Sequence, residues 1–168
     1  DGSAQVKAET PLIVTRASAK AALEAQATGA MAATATDERA SLKAEANRIA
    51  TDDRLVSNVT LSTKNVTMTY REPAKFLGFI QVTVPVTVRV DADGSAHVSH
   101  PWYGFLLSSN AAGLAIRAEA LAKNALTASS TANVGLSVAE QARLLNSIHG
   151  MLAANAEASA TETSAIQP

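Results

Sequence analysis

The chain has no cysteine, so thiol nucleophiles, thiolate metal sites and disulfide staples are all excluded. Aromatic side chains are scarce: one Trp, two Tyr and three Phe, all between Tyr70 and Phe105. No apolar run approaches the roughly 18 residues that a membrane-spanning helix needs. Net charge is −1 with both signs scattered, so there is neither a basic face for nucleic acid nor an acidic tail. G-x-S-x-G, phosphate-loop and G-x-G-x-x-G patterns are absent.

Alanine and valine divide what remains. Stretches 17–50 and 111–128 are dense in Ala, with Leu, Lys, Glu and Arg between, whereas 54–107 is rich in Val and Thr. Alanine is the best helix former and β-branched residues favour strands. The expected fold is α+β: Ala-rich N-terminal helices, a roughly four-stranded antiparallel meander, then two C-terminal helices packed on the sheet. At 168 residues the chain suits one domain; we assign residues 1–155 to it and 156–168 to a flexible tail with little to bury.

Alternation sets the sheet. Val59 and Leu61 alternate with polar residues, as do Val66, Met68 and Tyr70, and a turn over Ser62 to Asn65 brings Leu61 opposite Val66. Val82, Val84, Val86, Val88 and Val90 share one face, and Pro85 among them implies an edge or a bulge. A three-residue loop, Ala92–Gly94 with Gly94 left-handed, places Val90 opposite Ala96 and Val88 opposite Val98. Continued, that register puts Trp102 on the valine face opposite Val84.

In the helical regions, Gly29 and the run Thr34–Thr36 mark a break, with Thr36 as N-cap of a second helix whose Leu42, Ala46 and Ile49 share a face. Leu114, Ala118, Leu121 and Ala125 form another stripe. Ser137 and Glu140 make a capping box, and Val138, Leu145, Ile148 and Leu152 form the buried face behind it, with Gly150 fraying the end. Leu12, Ile13 and Val14, held out of a helix by Pro11, are three β-formers in a row; they read as a segment that adds to a sheet edge, in this chain or a neighbour.

Candidate chemistry is thin. His97 and His100 are three apart on a strand and point to opposite faces, and His149 has no acidic or histidine neighbour at i±4, so no metal or catalytic role is assigned. Asp91-Ala-Asp93-Gly94 opens like a calcium loop, but Ser95 and Trp102 stand where its fifth and twelfth ligands belong. Arg71, Glu72 and Lys75 around Pro73 read as a solvated loop, and Asp52-Asp53 as an ordinary polar helix–strand junction. Asn58 and Asn65 open formal glycosylation sequons, set aside because the Ala-heavy composition is bacterial in character. Phe76, Phe79, Trp102 and Tyr103 remain: rings that fill the sheet–helix core, or a ligand or partner patch in which Tyr103 is the exposed member.

The first residues, DGSAQVKAET, read as a mature exported chain. With no catalytic set, metal or cofactor assigned, the expected function is a non-enzymatic, extracytoplasmic structural or interaction protein, secreted or periplasmic, including a self-assembling surface or filament subunit. Its expected partner is a second copy or another exported protein. The alternative is a periplasmic small-ligand-binding domain with an apolar pocket between sheet and helices, lined by those four rings.

Overall fold

The computed structural model describes residues 10–27, 38–108, 111–126 and 135–164. Strand β1 (Leu12–Thr15) leads directly into helix α1 (Arg16–Ala27); α2 (Glu38–Asp52) is followed by β2 (Val56–Leu61), β3 (Asn65–Phe76), β4 (Ile80–Asp91) and β5 (Ala96–Ser99). A 3₁₀ turn (Trp102–Leu106) and a two-residue strand β6 (Leu107–Ser108) precede α3 (Ala111–Leu126) and α4 (Val138–Ser164). The architecture is α+β. Five antiparallel strands lie in chain order, and β6 adds to β3.

The registers follow the alternation. Leu61 pairs with Val66 and Val59 with Met68, while Val90 pairs with Ala96 and Val88 with Val98 across a turn in which Gly94 is left-handed. A bulge at Ser57 lets Val56 and Val59 both face inward although they are three apart. One face of the sheet is covered: α2 lies against β1 and β2, α4 against β3, and α3 against β5. Buried Val, Met and Leu of the strands meet Leu42, Ala46, Ile49, Leu114, Ala118, Leu145, Ile148 and Leu152 of the helices. Small alanines on the helix side let backbones approach the valine surface closely. The opposite face is polar, and on it Thr69 and Thr87 share a hydrogen bond of 3.1 Å between their hydroxyls.

Helix α4 opens with the expected capping box: the Ser137 amide donates to Glu140 Oε2 at 2.6 Å, and the Glu140 amide to Ser137 Oγ at 3.2 Å. It does not end near Gly150. It runs to Ser164, so residues 156–164, expected as a tail, are helical. Asn155 and Ser159 supply the reason, because both bond to Glu72 on β3. The Thr36 cap and the 127–134 linker lie outside the described residues, as do residues 165–168.

The stretch expected as a loop around Pro73 is strand. β3 and β4 pair through twelve rungs, from Asn65↔Asp91 to Phe76↔Ile80. The last six, from Arg71↔Pro85 outward, extend beyond the ends of β2 and β5, an overhang of about 20 Å at roughly 3.3 Å per residue. Its prolines fit those edges. The Arg71 amide donates sideways to the Leu55 carbonyl at 2.7 Å, so Pro73, two residues on, has its nitrogen on the same side, where β2 has ended. Pro85 likewise stands past the last β5 rung, Thr87↔Ser99. Neither position requires an amide proton.

β1 takes the edge of its own chain, with Leu12↔Leu61 and Val14↔Val59 in register. Val14 is buried while Ile13 faces out, 58% exposed, so the segment is covered on one side. Removing residues 1–14 exposes Leu61 and Val59 and loses the burial of Val14 and Leu12, about 3 kcal/mol at the usual value of an aliphatic side chain. The expected outcome is a fall in Tm of roughly 6–12 °C with the oligomeric state unchanged, checked by calorimetry and light scattering.

Candidate functional site

The four rings expected to act together divide between surface and half-cover. β5 stops at Ser99, because His100 precedes a proline and Pro101 offers no amide to a ladder. The chain turns into the 3₁₀ segment, closed by the Gly104 amide on the Pro101 carbonyl at 2.8 Å. Trp102 therefore never reaches the rung opposite Val84. It is 84% exposed, and Phe79 is 74% exposed, whereas Phe76 and Tyr103 are half-buried. Of the aromatics expected inside, none is fully buried among the described side chains; the core ring is Tyr70. Tyr103 packs edge-on to Trp102 at 5.7 Å and 84°.

These rings nonetheless share one region. β5 pairs with β4 and β6 with β3, so the 3₁₀ segment crosses the overhanging hairpin from one edge to the other. It ends beside the tip, where the Leu77 amide donates to the Leu106 carbonyl at 3.0 Å. The tip turn closes with the Phe79 amide on the Phe76 carbonyl at 3.3 Å, and both central residues are left-handed: Leu77 at φ 53° and Gly78 at φ 81°. That is the backbone of a type I′ turn, in which Asn, Asp or Gly is favoured. A leucine there costs on the order of 1–2 kcal/mol, and it is 54% exposed. Ile80 beside it is 45% exposed. Solvent and backbone both disfavour what this tip carries.

Below the tip run two polar ties that the sequence hid. Asp53 Oδ2 accepts from the Tyr70 hydroxyl at 3.0 Å and lies 2.9 Å from His149 Nε2; Oδ1 accepts the Leu55 amide at 2.9 Å. Three elements meet on one carboxylate: the α2–β2 corner, β3 and α4. Burial, and then the Asp53 carboxylate beside it, push the Tyr70 hydroxyl well above its usual range, so it stays a donor. All of Asp53's bonds hold structure, and no hydroxyl nucleophile touches His149 among the described bonds. Two rungs further out, Glu72 Oε1 accepts from Asn155 Nδ2 at 2.6 Å and from Ser159 Oγ at 3.2 Å. Burial raises the Glu72 pKa, against the hydrogen bonds of Ser159 and Asn155 and the nearby His100, which lower it. No local period announces either tie: Asp53 and His149 are 96 residues apart, Glu72 and Asn155 83.

Between β1, α2 and α4, the space lined by Leu12, Leu42, Leu61 and Val138 amounts to about 10 Å³, room for one water at most. An open groove of about 380 Å³ runs along the overhang at Pro73, Ala74, Val82 and Thr83, against Ala160. Among the described residues no cluster of His, Asp and Glu is arranged to hold a metal ion. No described helix is long and apolar enough to cross a membrane.

Glu72 gives a test of the second tie. Its folded pKa is raised above the unfolded value, so its contribution favours the fold when protonated, below the unfolded carboxylate pKa near 4.3, and is lost as pH rises through the folded pKa. Glu72→Gln keeps an acceptor for Asn155 and Ser159 and removes the buried charge. Urea midpoints for E72Q should exceed wild type at pH 7, with the gap closing towards pH 4.

A scan of protein-family models, a search of curated proteins and a search of solved structures each returned no match to this chain. The functional reading therefore rests on the chemistry of this chain alone.

Proposed function

We propose that the chain is an exported, non-enzymatic interaction module that docks through the tip of the β3–β4 hairpin. The observation that carries this reading is the placement of large apolar side chains. Leu77, Phe79 and Ile80 on the tip, and Trp102 at the start of the segment that ends beside it, all stand in solvent. Single exposed hydrophobics are normal on a protein surface, but a contiguous group marks a contact. Leu77, Phe79 and Ile80 follow one another round the tip and form its patch, and Trp102 opens the segment whose end, Leu106, bonds to Leu77.

The polar ties support the same reading. Where an enzyme would keep His149 and Asp53 free to react, here they fix α4 to the sheet, and Glu72 fixes α4 to the base of the overhang. Self-assembly through Leu12–Val14 has less support, because those residues pair inside the chain. A ligand pocket between sheet and helices also has less, since two of its four rings point outward.

Photocrosslinking tests the docking surface whatever the identity of the partner. Phe79→p-benzoylphenylalanine, expressed in the native host, should give a discrete adduct, with a protein or with lipid, on irradiation. The same probe at Ile116, comparably exposed on α3, should not. Adducts of equal yield at both positions, or at neither, would remove the reading.

A further inference from the structure

We propose that the partner of the hairpin tip is the surface of an anionic lipid bilayer, an inference that rests on docking through the tip. Shape comes first. The tip is an end, not a groove: six rungs of β3 and β4 extend beyond β2 and β5, with β6 beside the last two on the β3 edge and α4 along them, and Leu77, Phe79 and Ile80 sit at the far end. A projecting turn needs either a socket in another protein or a medium that closes around it. The headgroup and acyl boundary closes around apolar side chains to a depth of about 5–10 Å, which matches a three-residue turn and the rung below it.

Side-chain types fit that depth. Leu77, Phe79 and Ile80 supply aliphatic and aromatic area, and Trp102 with its edge-on neighbour Tyr103 supplies the amphipathic rings that concentrate at membrane interfaces.

Charge then selects the lipid. Lys75 stands one residue before Phe76, near headgroup level, and Arg71 is exposed lower on the same strand. The carboxylate between them, Glu72, is buried under Asn155 and Ser159 and faces no partner outside. Glu157 on α4 acts on Tyr70, six residues below Phe76, so it lies behind the tip. Described side chains at the tip therefore present apolar surface and positive charge together. A second copy meeting tip to tip would bring Lys75 against Lys75 with no carboxylate among the described side chains of the tip, whereas anionic headgroups answer that charge.

The chain reports on its own docking, because Trp102 is its only tryptophan. Purified full-length protein is titrated with vesicles of equimolar phosphatidylglycerol and phosphatidylcholine, and with phosphatidylcholine alone. Trp102 emission should shift to the blue, and be quenched by brominated acyl chains, with the anionic vesicles and much less with the neutral ones. Phe79→Asp should abolish the shift, and Lys75→Glu should weaken partitioning roughly tenfold to thirtyfold, reversing one charge near the surface. Both positions are at the exposed end, and an unchanged circular-dichroism melt confirms that each variant is folded. Emission unmoved by anionic vesicles, equal partitioning onto neutral ones, or normal binding by F79D overturns the lipid assignment. If vesicles fail while the probe at position 79 captures a protein, docking through the tip stands and its partner is a protein; if both fail, both inferences fall.

Discussion

The twelve-rung register of β3 on β4 is the constraint from which the rest of this structure follows. Because side chains alternate strictly along a strand, that register puts Val66, Met68 and Tyr70 on one face with Val84, Val86, Val88 and Val90. The helices cover that face. It also makes the hairpin longer than β2 and β5, so its outer half is held by other elements, β6 on the last two rungs of β3 and α4 below them. Pro73 and Pro85 sit where β2 and β5 stop and remove the outward amide at those two edge positions, and on the β3 edge pairing resumes only with β6 at Lys75 and Phe76.

α4 supplies the support. Asn155 and Ser159, one turn apart, both reach Glu72 on the overhang, and Ala160 meets the hairpin at the open groove. Choosing a carboxylate for this position adds a desolvation cost that a neutral acceptor avoids. Further down, Asp53 joins the α2–β2 corner, Tyr70 and His149. Together the two ties fix the height and angle at which the hairpin leaves the body, and so the position of the apolar tip.

Much of the fold was legible from period and turn chemistry. The β2–β3 and β4–β5 registers, the left-handed Gly94, the capping box at Ser137 and the helix faces through Leu42 and Leu114 all come from local rules. The failures were of another kind. Extrapolating the β5 ladder to Trp102 ignored Pro101, which was the available signal for its end. Reading Arg71–Lys75 as a loop gave Pro73 too much weight, since a proline is harmless on a strand whose neighbour has already stopped. Ser159 looked like a tail residue, and Asn155 like the last of the domain, because the group they satisfy, Glu72, is 83 positions away from Asn155. Long-range polar pairing leaves no local pattern in one sequence. The tip was half legible: Phe76, Phe79, Trp102 and Tyr103 were singled out, but burial was assigned to rings that stand in solvent.

An apolar tip works as a docking element only if the overhang behind it is rigid. Strand alternation points the amides of Glu72, Ala74, Val82 and Val84 into the β3–β4 ladder, two to five rungs beyond the last rung of β2 or β5. Native-state amide hydrogen exchange measures this directly. If α4 braces the hairpin, these four amides are protected to the same order as those of Met68 and Val88 within the body. If they exchange as fast as unstructured peptide while Met68 and Val88 stay protected, the overhang frays in solution and no fixed tip is presented.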